Sequence, residues 1–176
     1  MALFRLIGLC VLCVLALPAF AQDDEPVSYT ILINDYTFNV EGQETGEGLT
    51  LQAGQMYRLV FRNDGIVKHE VLFGRDPSQI DGFFNDYGEH MLASTETAVF
   101  GVMMEATFEV EAFGLRELEL THGQELTVEF TLSEDLIGMW EIGCFVPLDA
   151  AAPADHPGPS HYDIGMRLPL EVVAAE

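Results

Sequence analysis

Four side chains carry the donor atoms of a transition-metal site. Cys144 offers a thiolate, His161 and Met166 follow it just before the last apolar run of the chain, and His69 lies far upstream. Two imidazoles, a thiolate and a weakly binding thioether form the donor set of a mononuclear copper site that transfers electrons. Soft sulfur favours Cu(I), and imidazole binds both oxidation states. We predict one copper ion, with Cys144 as the strong ligand, the two histidines completing a trigonal plane and Met166 axial.

Residues 1–21 have the three parts of an export signal. Arg5 gives a positive start, residues 6–17 form a nearly unbroken apolar run, and Ala19-Phe20-Ala21 supplies small residues at the cleavage positions. The run is too short for a comfortable membrane span, and acidic residues follow at once. We predict a signal peptide over residues 1–21, export to the periplasm of a Gram-negative bacterium, and one domain over residues 22–176 without a membrane span.

Removal of the signal leaves one cysteine, Cys144, because Cys10 and Cys13 lie within the apolar run. That position also disfavours a lipoprotein in which Cys10 or Cys13 carries the lipid. A single cysteine excludes an internal disulfide and the several cysteines that structural zinc sites usually use. A lone thiol in an oxidising compartment is open to oxidation, so two interpretations remain for Cys144: metal coordination, or burial as a small apolar residue.

The chain is strongly acidic, with 29 Asp and Glu against 7 Lys and Arg and a formal net charge of -22 at pH 7. Such a charge excludes nucleic acid and anionic membrane as natural partners. It fits a redox partner protein with a basic docking face, such as a cytochrome, a copper reductase or an oxidase. The alternative is an acidity that serves solubility or a salty environment.

The elements that must position the donors are short β-strands. β-branched and aromatic residues alternate with polar ones, and turn residues such as Asn34-Asp35 and Ala53-Gly54-Gln55 break the runs. Residues 74–107 lack this rhythm, and we predict an irregular insertion or a partly helical excursion there. The pattern predicts an all-β fold, a Greek-key antiparallel β-sandwich. The expected strands lie at residues 27–33, 36–40, 49–51, 56–63, 67–73, 106–110, 116–120, 126–132, 138–145 and 167–173.

Cys144 ends one of these strands. Trp140, Ile142 and Cys144 share one face of the strand, because successive side chains point to opposite sides. We therefore expect the sulfur to point inward, into a dry and rigid pocket.

The sequence resembles the cupredoxins, the family of plastocyanin, azurin and pseudoazurin. The resemblance runs through residues 48–63, Val67-Lys68-His69-Glu70, Gly138-Met139-Trp140-Glu141-Ile142-Gly143-Cys144-Phe145-Val146-Pro147, and residues 161–166. Members of the family have one isolated histidine on an early loop and then Cys, His and Met near the C-terminus, which is the order found here. The resemblance implies a cupredoxin-like fold, a type 1 blue copper site at the four donors named above, and an exposed histidine edge through which electrons leave.

The sequence departs from the family in two ways. Residues 145–160 form a long segment before His161, where familiar members have only a few residues. His156 within this segment is a rival for the second imidazole ligand, and we prefer His161 because its spacing to Met166 matches the family. Glu70 stands where many members carry an asparagine that ties the ligand loops together, so the reduction potential is not predicted.

Other groups have two interpretations each. We expect packing or a surface position for His90, Met91, Met103 and Met104. A soft secondary copper site formed by these residues is the less favoured alternative. A surface turn is expected for His122. We expect an aromatic core of the insertion to be formed by Phe83, Phe84 and Tyr87. A cap over the metal site or a docking patch is the less favoured alternative.

The predicted function is a periplasmic one-electron carrier, not an enzyme. Copper sequestration or delivery with the same site is the alternative, modestly favoured by the long segment before His161 and the additional Met and His residues. Nitrite reductases and multicopper oxidases join two or more such domains and need further histidines, often as His-x-His pairs, which this sequence lacks. A dinuclear copper domain would need a second cysteine near Cys144, and none is present.

Overall fold

The computed structural model describes residues 25–103 and 106–175, and these residues form β-strands joined by turns and by one short 3-10 helix, Glu134–Leu136. The predicted signal peptide, with Cys10 and Cys13, lies outside the described residues, as does Met104. Within the described part of the chain, no helical segment combines the length and the apolar character that crossing a membrane requires. The strands are β1 (Val27–Asn34), β2 (Thr37–Val40), β3 (Leu49–Gln52), β4 (Met56–Asn63), β5 (His69–Ile80), β6 (Phe83–His90), β7 (Glu96–Met103), β8 (Ala106–Phe113), β9 (Glu117–Leu120), β10 (Glu125–Thr131), β11 (Gly138–Gly143) and β12 (Arg167–Val173).

The strands form two sheets, which confirms the predicted all-β sandwich. One sheet has the order β2-β1-β4-β10-β7-β8, and the other has the order β3-β12-β11-β5-β6 with β9 paired to β5. Most neighbours are antiparallel, but β1 pairs with β4 and β3 pairs with β12 in parallel. The sheets are therefore mixed. A parallel pair needs a long crossover connection, and the chain supplies it by passing through the opposite sheet between the two paired strands.

The sheets pack face to face on alternating apolar side chains. In β4, Tyr57, Leu59 and Phe61 are buried while the residues between them are exposed or partly exposed. The Phe73 ring of β5 contacts the opposite sheet, with centroids 5.8 Å from Phe61 and 6.0 Å from Phe130. A period of two with one apolar face is the pattern of a strand that covers a core, and burial of that face stabilises the sandwich.

Residues 74–103 complete β5 and contain β6 and β7, with turns at residues 81–82 and 91–95, so the predicted irregular insertion over residues 74–107 is wrong. β5 continues to Ile80, turns at Asp81 and Gly82, and returns as β6. The two turn residues have φ values of 53° and 86°, as a two-residue hairpin requires. Beyond Gly74 most side chains of this hairpin are partly or fully exposed, which removes the apolar alternation that identifies strands.

Tyr87 links three strands of the second sheet. A Cβ added at Gly74 of β5 would lie 2.3 Å from the Tyr87 ring, and one at Gly143 of β11 would lie 2.4 Å from its hydroxyl oxygen. The buried ring therefore occupies the space that two side chains would otherwise fill. Tyr87 forms a small apolar cluster with Leu72, Phe145 and Tyr162, against which Phe84 packs. The prediction of an aromatic core in this region is thus confirmed for Tyr87.

Candidate metal centre

Three separate elements bring the predicted donors to one end of the second sheet. His69 begins β5, where it pairs with Leu120 of β9. Cys144 directly follows β11, which is hydrogen-bonded to β5. His161 and Met166 lie on the loop that leads into β12, the other neighbour of β11.

The donor atoms of His69, Cys144 and His161 converge. The Cys144 Sγ atom lies 3.3 Å from Nδ1 of His161 and 3.8 Å from Nδ1 of His69. One donor atom from each residue lies within 4.8 Å of the others. The exposed fraction is 0% for His69 and Cys144 and 4% for His161, so the three groups form a dry cluster.

Short backbone hydrogen bonds fix the loop that carries His161 and Met166. The Met166 N–H donates to the His161 carbonyl at 3.0 Å, and the Cys144 N–H donates to the Met166 carbonyl at 3.3 Å. The His161 N–H donates to the Val146 carbonyl at 2.9 Å. Met166 is fully buried and packs in the same core cluster as Cys144. The predicted fourth donor therefore belongs to the same compact loop as the second histidine.

The sulfur accepts a hydrogen bond from the protein backbone. The Glu70 N–H donates to the Cys144 Sγ atom at 3.3 Å. A donor at this position withdraws electron density from the sulfur and restricts its orientation, as outer-shell groups do in metal sites. The bond joins β5 to the residue after β11, so it also couples the two strands that carry His69 and Cys144.

Burial sets the protonation of the three donors. Burial raises the pKa of the Cys144 thiol to about 12. Burial, reinforced by the neighbouring His161, lowers the pKa of His69 to about 4. Burial also lowers the pKa of His161. In the metal-free protein at neutral pH, two neutral imidazoles therefore face a thiol, and a bound cation is what favours loss of the thiol proton.

These residues fit a copper ion. The cluster combines one soft sulfur with two imidazole nitrogens and places no carboxylate among the converging donors, a set that suits copper better than magnesium or calcium. The Nε2 atom of His69 is buried and has no hydrogen-bond partner among the described residues. The Nδ1 atom, which faces the Cys144 sulfur, is therefore the ring nitrogen available to bind a metal ion.

His156, the rival ligand, lies elsewhere. Its side chain is 67% exposed and contacts Asp81 at the turn between β5 and β6. This contact attaches the long segment before His161 to the β5–β6 hairpin. The structure brings His161, and not His156, to the Cys144 sulfur.

Among the His, Cys, Asp and Glu side chains of the described residues, the one converging group that contains a histidine is the cluster around Cys144. Met91 is buried in the main core, and His90 lies 2.9 Å from the Arg116 guanidinium and 3.3 Å from the Asp86 carboxylate. The side chain of Met103 and all of Met104 lie outside the described residues. His122 lies in the expected exposed turn, with Nδ1 2.6 Å from the Gly65 carbonyl oxygen.

Two residues of the site have no signal in the sequence. Asn63, fully buried, donates to the carbonyls of Val67 at 2.9 Å and Leu120 at 3.0 Å and so holds the loop that leads into His69. Tyr36, in the turn after β1, places its ring edge-on to the His161 imidazole with centroids 4.9 Å apart. His161 is therefore covered, whereas the family resemblance implies an exposed histidine edge.

No protein-family model and no curated protein sequence matches this chain. Solved structures similar to it include auracyanin A, a "blue" copper protein from Chloroflexus aurantiacus, at 17% identity and a TM-score of 0.43, covering 85% of this chain and 100% of auracyanin A. Reduced rusticyanin is 14% identical with a TM-score of 0.48, covering 84% of this chain and 79% of rusticyanin.

A multicopper oxidase from Campylobacter jejuni is 12% identical with a TM-score of 0.49, covering 89% of this chain. This chain spans 32% of the length of that oxidase. The chemistry of the site follows from its own residues. A two-sheet β-sandwich in which His69, Cys144 and His161 meet in one buried cluster is the arrangement that the resemblance to the cupredoxins predicts.

Proposed function

We propose that this chain is a mononuclear copper protein that carries single electrons between partner proteins. His69, Cys144 and His161 hold the ion, and Met166 supplies a fourth, weaker ligand. The observation that carries the proposal is the convergence of one sulfur and two Nδ1 atoms in a cluster from which water is excluded.

The chain supplies rigidity and a dry environment. A bound copper ion would alternate between Cu(I) and Cu(II), which is one-electron chemistry. The donors come from β5, the end of β11 and a hydrogen-bonded loop, so their positions are set by the sandwich rather than by the ion. The backbone N–H of Glu70 is directed at the sulfur and would restrict its orientation when the ion is bound. A site that does not rearrange lets an electron enter and leave with little reorganisation.

We place this carrier in the periplasm, as residues 1–21 indicate, and pair it with a basic partner. The acidic net charge steers a cytochrome, a copper reductase or an oxidase with a basic docking face toward it.

Copper sequestration or delivery is the second candidate. The burial of all three donors favours it, because an enclosed site exchanges its ion slowly. The electron-exchange rate separates the two functions: a carrier exchanges electrons quickly with its partner, and a storage protein has no such requirement.

The visible absorption spectrum of the protein with added Cu(II) tests the proposal. We expect an intense thiolate-to-copper charge-transfer band that is absent in Cys144→Ser. His161→Gly should weaken or shift the band, whereas the matched variant His156→Gly should leave it unchanged because His156 lies away from the cluster. A protein that binds Cu(II) without this band contradicts the assignment.

A further inference from the structure

Tyr36 has a backbone conformation that bulky residues rarely adopt. It lies in the two-residue turn between β1 and β2 with φ 67°, in the left-handed region that glycine and asparagine prefer. Such strain persists only where the surrounding structure holds it, and it is concentrated at functional sites. The Tyr36 side chain is therefore expected to make a favourable contact that offsets the backbone strain.

The contact is with the second imidazole of the candidate centre. The Tyr36 and His161 rings meet edge to face at an interplanar angle of 87°, with centroids 4.9 Å apart. Tyr36 is 40% exposed whereas His161 is 4% exposed. Since the exposed member of the pair is the tyrosine, solvent meets the phenol ring on this side before it reaches the imidazole.

The turn that carries Tyr36 is fixed against the loop leading into His69. The Asp35 carboxylate accepts a hydrogen bond from the Ile66 N–H at 2.7 Å. Gly65 packs so closely that a Cβ there would lie 2.5 Å from the Asp35 Oδ1 atom. Asn63 in turn accepts the Gly65 N–H at 3.0 Å. The ring is therefore held over the site by a rigid loop and not by a mobile side chain alone.

We propose that Tyr36 is a positioning residue that covers His161 and closes the imidazole side of the metal centre to solvent and small ligands. The part that concerns copper rests on the proposed function, whereas the shielding of His161 is a property of the chain itself. An electron that leaves on this side passes the Tyr36 ring rather than a bare imidazole edge.

The first test uses the metal-free protein and diethyl pyrocarbonate, which acylates accessible neutral imidazoles. Modification of each histidine is followed by peptide mass spectrometry in the wild type, Tyr36→Asn and Tyr36→Phe. Asparagine accepts the left-handed backbone without the ring, and phenylalanine keeps the ring without the hydroxyl. His156, 67% exposed in its side chain, and His69, fully buried, serve as fast and slow internal references.

We expect His161 to react several-fold faster in Tyr36→Asn and at the wild-type rate in Tyr36→Phe, with His156 and His69 unchanged in both. An unchanged His161 rate in Tyr36→Asn overturns the proposal. A parallel rise at His69 also overturns it, because that result means general loosening rather than removal of a cover. A Tyr36→Phe variant as reactive as Tyr36→Asn excludes the ring as the covering group.

The second test uses the copper-loaded protein and azide as a small anionic ligand. Azide should perturb the absorption spectrum of Tyr36→Asn at concentrations that leave the wild type and Tyr36→Phe unaffected. Equal azide affinity in all three proteins contradicts closure of the metal centre. If no copper–thiolate band forms in any of them, the proposed function fails, and the mass-spectrometric result still decides whether Tyr36 covers His161.

Discussion

Three donors of the candidate centre are restrained in three different ways at the level of single residues. His69 is part of a strand paired on β9, Cys144 receives the Glu70 N–H, and Met166 is tied to the His161 carbonyl through its own N–H. Loss of one side chain should therefore change the ligand set without displacing the other donors.

Replacement of Met166 tests its role as the weak ligand. Met166→Leu conserves volume in a buried position but removes the thioether, so the copper–thiolate band should persist while the reduction potential becomes more positive, because a weak donor to Cu(II) is lost. Voltammetry of the copper-loaded protein measures the shift. Met91→Leu, at a buried core position outside the donor cluster, is the matched control and should leave the potential unchanged. Equal potentials in all three proteins would remove Met166 from the ligand set.

Gly143, the residue before Cys144, has no room for a side chain. A Cβ there would lie 2.4 Å from the Tyr87 hydroxyl oxygen and 3.0 Å from the Tyr162 ring, and Tyr87 cannot retreat because its ring rests on Gly74. Gly143→Ala should lower the free energy of unfolding by about 2 kcal/mol through overpacking. Urea unfolding of the metal-free protein measures this change.

The same substitution in a Tyr87→Phe background serves as its control. Removal of the hydroxyl takes away the atom nearest to the added methyl group, so Gly143→Ala should cost less there than in the wild type. An identical cost in both backgrounds would contradict the proposed collision.

At the level of elements, the β5–β6 hairpin carries a histidine whose titration affects stability. Burial lowers the pKa of His90, and the Arg116 guanidinium adds to this effect while Asp86 opposes it. The unfolded chain then binds the proton more tightly than the folded protein, so His90 destabilises the fold as the pH falls through about 6.5, the ordinary histidine value.

His90→Gln should therefore flatten part of the dependence of stability on pH. We expect the variant to lose less free energy of unfolding than the wild type between neutral and mildly acidic pH, measured by urea unfolding of the metal-free proteins. Burial raises the pKa of Glu70 to about 7, which gives a contribution of opposite sign, so the difference between the two proteins is the informative quantity. A variant that loses as much stability as the wild type over this range would contradict the role of His90.

Elements were predictable from the sequence where one face is buried and the other is not. β4 and β12 alternate apolar and polar residues, and both were predicted. β6 was missed because few of its side chains are buried, so no period of two is visible. The parallel pairing of β1 with β4 was also missed, because pairing depends on tertiary contacts that local pattern does not encode.

The candidate donors could be proposed from the sequence for a different reason. A lone cysteine followed by a histidine and a methionine offers two soft sulfur donors and an imidazole, and the chemistry of these side chains limits what they do together. Tyr36 and Asn63 were missed because their roles depend on which loops lie side by side in the fold. Neither residue type carries a signal for such a contact.

At the level of the whole molecule, charge should govern the encounter with a redox partner. With a net charge of -22, the protein should attract a basic partner such as a cytochrome over long range, and salt should screen that attraction. The bimolecular rate of electron transfer to a basic cytochrome, followed by stopped-flow absorption, should fall steeply as ionic strength rises. The rate with a neutral small-molecule reductant should change little. Equal salt dependence in both reactions would mean that the acidity does not serve docking.

The local structure around bound copper tests the central claim most directly. X-ray absorption at the copper edge of the copper-loaded protein should show one short sulfur neighbour and two imidazole nitrogens. The sulfur should disappear in Cys144→Ser, and one nitrogen should disappear in His161→Gly but not in His156→Gly. A shell of nitrogen and oxygen alone in the wild type would contradict a centre built on His69, Cys144 and His161.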